Sequence, residues 1–213
     1  MVEIYDTISR EAIEQLPRVQ YSGEIIIIDQ IEEVDAAVAE LRRYKIIGFD
    51  TETKPSFKRG VTNKVSLLQL STGNSAYLFR LNMTGIPASL QSLLADESIK
   101  KIGISVRDDE IALNRREKVV LGGFVDLQEY VTKMGIHDLS LQKIYALLFN
   151  ERISKSKRIS NWEVETFSES QKEYAAIDAW ATLRIFSYLE DLRSRNGINV
   201  IQRNAEESIA EEG

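Results

Sequence analysis

Short apolar runs rich in β-branched and aromatic residues punctuate the chain and predict its strands. They are Glu24–Asp29 (EIIIID), Ile46–Asp50 (IIGFD), Val65–Ser71 (VSLLQLS), Ala76–Leu81 (AYLFRL), Lys101–Ser105 (KIGIS) and Phe124–Asp126 (FVD). The triplet Thr72-Gly73-Asn74 marks a turn between the third and fourth runs. Elsewhere the apolar period lengthens from two to about 3.6 residues, the signature of amphipathic helices. Helices are predicted over Ile31–Tyr44, Pro87–Leu94, Asp109–Arg116, the stretch after Asp126 to Met134, Leu139–Phe149 and Ser170–Arg193. In the last of these, Tyr174, Ile177, Ala181, Ile185, Tyr188 and Leu189 recur at helical spacing. Met1–Gln20 reads as a short helical arm that Pro17 ends, and beyond Arg193 the chain turns polar, with a stop at Asn196-Gly197. Three strands in succession, then strands alternating with helices, predict an α/β domain with a mixed sheet flanked by helices. The expected organisation is a helical arm over residues 1–23, one domain over 24–193 and a polar acidic tail over 194–213.

Composition narrows the class. At 213 residues a single globular domain with ample core is expected. The absence of cysteine excludes disulfides, thiolate zinc sites and cysteine nucleophiles. The opening MVEIYDTISREAIEQ is charged and amphipathic, unlike a signal peptide, and no apolar run reaches membrane-spanning length. A cytoplasmic enzyme with no membrane partner is the expectation. A formal charge of −6 looks wrong for a nucleic-acid partner, whose phosphates are usually met by Lys and Arg. The distribution changes that picture. Without Glu206, Glu207, Glu211 and Glu212 of the tail the charge is −2, and two divalent cations would bring it to +2.

Candidate chemistry sits at the strand and helix ends. Asp50 and Glu52 stand at i and i+2, so they leave the strand on one side with Cα atoms roughly 6–7 Å apart. Two anions buried this close are costly without a neutralising partner. Tyr174 and Asp178 stand at i and i+4 of a helix, with Cβ atoms about 5–6 Å apart. Asp109 lies where an apolar run gives way to a helical pattern, a place where the helix dipole alone would favour an aspartate. Each piece by itself is ordinary: Asp-x-Glu after a strand is more often a turn or cap than a ligand pair. Together they form a set of carboxylates suited to a hard divalent cation such as Mg²⁺ or Mn²⁺.

The three segments resemble the three motifs of the DEDD 3′–5′ exonucleases, in the subclass that carries tyrosine. FDTET matches the first motif, GISVRDDEIAL resembles the second and YAAID matches the Y-x-x-x-D of the third. NKVSLLQLSTGNSAYLF and RISNWEVETFSESQKEYAAIDAW are similar to the Werner-type exonuclease domain and to ribonuclease D, so that the likeness runs from about Ile25 to Leu189. In the second motif the aspartate precedes an apolar residue by four positions, which picks Asp109, with Leu113, over Asp108. Ser105 and Asp108 depart from the asparagine and aromatic residue often found there. Glu173 occupies the place where the histidine subclass carries its base, and the single histidine, His137, lies in the loop-like GIHDLS as a turn or surface residue.

The resemblance implies a ribonuclease H-like fold with a five-stranded mixed sheet, the strand at Glu24–Asp29 being an addition near its edge. It implies hydrolysis of the terminal 3′ phosphodiester of DNA or RNA, at single-stranded or recessed ends, with release of nucleoside 5′-monophosphates. Two cations, Mg²⁺ or Mn²⁺, would be held by Asp50, Glu52, Asp109 and Asp178, with Tyr174 orienting the attacking water. Werner-type similarity leans towards DNA and ribonuclease D similarity towards RNA 3′-end processing. The expected phosphate contacts are Lys54, Lys58, Arg59 and Lys64 after the acidic pair, and Lys157 and Arg158 with their neighbours Arg152 and Lys155. Arg115, Arg116 and Lys118 form a third basic cluster. Trp162 or Phe57 is a candidate for stacking on a base, with a structural anchor as the other reading of Trp162. Among rivals, an aspartate-nucleophile phosphatase would want a second Asp at Glu52 and has no use for Tyr174. A glycosidase needs carboxylates that flank a bond, which strand neighbours do not. A catalytically weak binding module would be marked by a missing metal ligand, and all are present.

Overall fold

The computed structural model describes residues 1–203; the glutamates at 206, 207, 211 and 212 lie outside the described residues. Eight strands and eight helices follow in the order β1 (Val2–Tyr5), α1 (Arg10–Gln15), β2 (Glu24–Ile28), α2 (Ile31–Leu41), β3 (Ile46–Thr53), β4 (Val65–Ser71), β5 (Ser75–Phe79), α3 (Leu81–Thr84), α4 (Ala88–Ala95), β6 (Lys100–Gly103), α5 (Val106–Arg116), β7 (Phe124–Asp126), α6 (Leu127–Thr132), α7 (Leu141–Phe149), α8 (Glu169–Ser194) and β8 (Ile198–Ile201).

The main sheet has six strands in the order β2-β5-β4-β3-β6-β7. β4 pairs antiparallel with both β3 and β5, whereas β2 joins β5, β6 joins β3 and β7 joins β6 in parallel. The sheet is therefore mixed, and β2 sits at its edge as an addition to five strands. β4 lies inside the sheet with both faces covered, and all seven of its residues are buried. That is why VSLLQLS reads as a continuous run rather than an alternation.

The alternation of β3 decides what lies on each side of the sheet. Ile47 and Phe49 pack into one layer with Val34, Val38 and Leu41 of α2 and Leu90, Leu93 and Leu94 of α4. Gly48 and Asp50 face the other layer, where α8 crosses. A Cβ on Gly48 would come within 1.8 Å of the carbonyl oxygen of Ala179, so this glycine sets how closely α8 approaches the strand. α8 begins at a capping box, Ser168 with Gln171, and runs for 26 residues. Its inner face, with Ile177, Ala181, Ile185 and Leu189, packs on α7 and α6. Its first turns pack Tyr174 and Ala175 against Leu67, Leu78, Trp162 and Phe167. No helix among the described residues is long and apolar enough to cross a membrane.

Two ends of the chain differ from the expectation. The arm is not helical throughout: only Arg10–Gln15 forms a helix, capped by Ser9, while Val2–Tyr5 is a strand. Past α8 the polar stretch holds a second strand, and the two pair in parallel, Val2 against Ile198 through Tyr5 against Ile201. Neither four-residue strand is marked by its local pattern, because the partner that satisfies its backbone lies almost the whole chain away. Asp6 completes the clasp, its Oδ1 accepting the Arg203 backbone N–H at 2.9 Å.

Candidate active site

β3 carries Asp50 and Glu52 to its C-terminal end, and the register with β4 shifts just after Glu52. Such an irregularity bends the strand, and here the chain leaves into the loop that precedes β4. α8 supplies Tyr174 and Asp178, both buried and one turn apart. The close approach at Gly48 brings that turn over the acidic pair. One carboxylate oxygen from each of Asp50, Glu52 and Asp178 lies within 4.8 Å of the other two. Asp109, in the first turn of α5, stands outside that group of three, its Oδ1 accepting a hydrogen bond from Thr51 Oγ1. Its neighbour Asp108 points to solvent, so the helix turns Asp109 and not Asp108 towards β3.

The electrostatics show what this convergence costs. Burial, and then the charges of Asp178, Asp109 and Glu52, push the Asp50 carboxyl well above the usual carboxylate range. Burial followed by Asp178 pushes Glu52 up to about 9, against the opposing effects of the Trp162 N–H and Arg158. Burial pushes Asp109 up to about 7, although the Thr51 hydroxyl holds it down, and burial likewise pushes Asp178 up to about 7. Asp50 and Glu52 are half-buried, whereas Asp178 is buried. Tyr174 is raised far above an ordinary phenol, first by burial and then by Asp178, Glu52 and Asp50. The phenol therefore keeps its proton across the neutral range. Its hydroxyl lies beside Asp178 and favours the ionised form of that carboxylate.

These residues fit divalent cations. Asp178 Oδ1 is buried and accepts no hydrogen bond, an orphaned acceptor at the point where three carboxylates meet. An oxygen-only donor set of high negative charge suits a hard cation, and the cation removes the repulsion that raises every carboxyl in the group.

The predicted phosphate contacts distribute unevenly. Lys58, Arg59 and Lys64 are exposed in the loop after β3. Lys54 is paired with Glu163 at 3.2 Å, and Ser66 Oγ donates to the same carboxylate at 3.1 Å. Glu163 thus ties the loop after β3 to the loop before α8. Arg158 is exposed and lies near enough to Glu52 to favour its ionisation, while Lys157 is half-buried. Arg116 of the third cluster instead donates to the Val65 carbonyl and, at 3.0 Å, to that of Leu81.

Trp162 is not available for base stacking. It is fully buried, edge-on to Phe167 and tilted against Tyr174, with its N–H towards Glu52 but outside hydrogen-bond geometry. It anchors the loop before α8. Phe57, by contrast, is 90% exposed. Glu173 turns away to Arg18 at 2.8 Å, and His137 sits against Asp6, its Nδ1 3.2 Å from Oδ2.

Two residues near the carboxylates were not singled out by sequence. Thr51 orients Asp109, a role hidden because FDTET directs attention to the acids on either side of it. Gln69 stands directly across the β3–β4 pair from Asp50, fully buried, and neither its amide oxygen nor its nitrogen has a partner. The signal was present as the one amide within the apolar run VSLLQLS.

A family model described as 3′–5′ exonuclease matches residues 25–192. The exonuclease/helicase WRN of Mus musculus is 33% identical over 170 residues, covering 77% of this chain and 12% of that protein. A 3′–5′ exonuclease of Arabidopsis thaliana is 28% identical over 201 residues, covering 87% of this chain and 70% of that one. Among solved structures, the Nibbler EXO domain of Aedes aegypti superposes with a TM-score of 0.77 at 20% identity, covering 85% of this chain and 95% of that one. Ribonuclease D of Trypanosoma brucei, solved in complex with RNA U12, superposes with a TM-score of 0.69 at 21% identity, covering 94% and 78%. The fold is ribonuclease H-like.

Proposed function

Because this chain belongs to the 3′–5′ exonuclease family, we propose that it hydrolyses the terminal phosphodiester at the 3′ end of a nucleic acid and releases nucleoside 5′-monophosphates. The observation that carries this reading is the meeting of Asp50, Glu52 and Asp178 within 4.8 Å, with Tyr174 beside them and Asp109 near enough for its charge to act on Asp50.

Asp50, Glu52 and Asp178 would hold one divalent cation, Mg²⁺ or Mn²⁺, and Asp50 with Asp109 a second. When bound, such ions activate water and stabilise the leaving oxygen of an in-line displacement. The chain's own groups then have separate tasks. Tyr174, held protonated, donates a hydrogen bond and orients the attacking water rather than taking its proton. Thr51 fixes the Asp109 carboxylate. Arg158, at the lip of the cleft, offers a guanidinium to the phosphate being cut. The water oxygen forms the new bond to phosphorus as it gives up a proton to solvent, the bond to the 3′-oxygen breaks, and that oxygen takes a proton from solvent and leaves as the hydroxyl of the shortened strand.

The substrate is a single-stranded or recessed 3′ end. RNA is supported by the RNA complex of the ribonuclease D relative, and no residue of this chain is assigned to reading a 2′-hydroxyl. Matched DNA, RNA and recessed-duplex oligonucleotides labelled at the 5′ end, incubated with Mg²⁺ or Mn²⁺, test the reading. Ladders shortening from the 3′ end are expected; internal cuts, or none on any substrate, would contradict it.

A further inference from the structure

Away from the carboxylates, a cleft of about 360 Å³ opens between α1, the start of α7 and the segment after it. Its charged lining is Arg10, Glu14, Lys143, Arg152 and Lys155, four cations against one carboxylate. Two of them have local carboxylate neighbours: Arg10, exposed, meets Glu14 through Nε alone at 3.1 Å, and Lys143 meets Asp138 at 2.7 Å. Arg152 spends its Nε on the Leu16 carbonyl at 2.9 Å, and neither Arg152 nor Lys155 has a carboxylate partner among the described residues. A concentration of unpaired positive charge is unexpected in a chain of net charge −6. Like charges gathered in a cleft repel one another unless an anion joins them.

The cleft is tied to the carboxylate site by one turn. The Arg158 N–H donates to the Lys155 carbonyl at 3.2 Å, so the two Cα atoms lie within about 7 Å of each other. One end of this turn lines the cleft and the other carries Arg158, whose charge reaches Glu52. The arm holds the same segment in place, with Pro17 and Val19 bonded to the backbone of Arg152 on both sides. Arg18 meets Glu173, the neighbour of Tyr174.

We propose that this cleft binds the phosphodiester backbone of the substrate strand a few nucleotides to the 5′ side of the bond being cut, with Arg152 and Lys155 as its principal phosphate contacts and Arg10 at its rim. The proposal rests on the exonuclease reading and extends it to a path: phosphates run from the carboxylates past Arg158 and over the turn into the cleft. A chain with an acidic catalytic centre thereby gains affinity for long strands over short ones without a basic surface overall.

The test is an Arg10→Ala/Lys155→Ala double substitution in the full chain, both side chains being exposed and outside the carboxylate group. Binding of a fluorescent 12-nucleotide single strand is measured by anisotropy in EDTA at several salt concentrations, and cleavage of a trinucleotide is measured with Mn²⁺. The expected result is about tenfold weaker binding of the 12-mer and a salt slope shallower by about 1.4, that is ~0.7 for each phosphate no longer neutralised. The rate on the trinucleotide stays unchanged. Unaltered 12-mer affinity, an equal loss on both lengths, or inorganic phosphate competing as well as unlabelled 12-mer would overturn the proposal. The two readings fail separately. A wild-type chain that binds the 12-mer through these residues but cuts nothing keeps the cleft and loses the exonuclease reading; one that cuts while the substitutions change nothing does the reverse.

Discussion

Gln69 and Asp50 stand opposite each other across the antiparallel β3–β4 pair, so the amide leaves the sheet on the same face as the carboxylate. Neither polar atom of the amide is satisfied, although the residue is fully buried. A buried unpaired amide costs about 1–3 kcal/mol. Gln69→Leu should therefore stabilise the metal-free protein by about 1 kcal/mol while lowering kcat roughly tenfold, because the amide that shares Asp50's face of the sheet is gone. Thermal melts beside steady-state kinetics check both halves. A variant that is destabilised and fully active would contradict the assignment.

Tyr174→Phe keeps the ring that packs on Trp162 and removes only the hydroxyl. Loss of water orientation should lower kcat by about 10–100-fold with KM nearly unchanged. Burial, Asp178, Glu52 and Asp50 all hold the phenol protonated, so wild type and variant should share one pH–rate shape at neutral and mildly alkaline pH. A limb present only in the wild type would make Tyr174 a base.

The carboxyl groups make stability depend on pH in a stated direction. Their folded-state pKa values are raised, Asp109 and Asp178 to about 7 and Glu52 to about 9. The folded metal-free chain therefore binds more protons than the unfolded one between the ordinary carboxylate range and these values. Stability is highest below that window and falls as pH rises through it. The metal-free melting temperature should drop by at least about 5 °C from pH 5 to pH 8.5. Mn²⁺ should restore it most at the alkaline end. A melting temperature that rises over this interval without metal would contradict the geometry.

Trp162→Ala should destabilise the chain by about 3–5 kcal/mol, the cost of emptying a buried aromatic site. Chemical denaturation measures it. A loss of nucleic-acid affinity with stability intact would return Trp162 to the binding surface.

What sequence disclosed follows how local each cause is. Asp50 and Glu52 share a strand, and Tyr174 and Asp178 share a helix, so period and spacing alone placed each pair on one face. The layering followed as well, because Ile47 and Phe49 alternate with Gly48 and Asp50. Contacts between distant segments were not legible. The β1–β8 clasp depends on pairing Val2 with Ile198, and Gln69 becomes a neighbour of Asp50 only through the strand register. For Trp162 sequence favours a loop anchor over a stacking platform, and the rings around it, Phe167 and Tyr174, give the anchor its physical reason. The choice of Asp109 over Asp108 came from resemblance, and the rotation of α5 gives its physical reason: one carboxylate meets Thr51 and the other meets solvent.

The most direct measurement is calorimetric titration of Mn²⁺ into the metal-free chain at pH 8, in parallel with Asp178→Asn. The wild type should bind two ions in the micromolar to millimolar range, and the substitution should abolish at least one of them. No heat of binding at millimolar Mn²⁺, or binding that survives loss of the Asp178 charge unchanged, would mean that these carboxylates meet for some other reason.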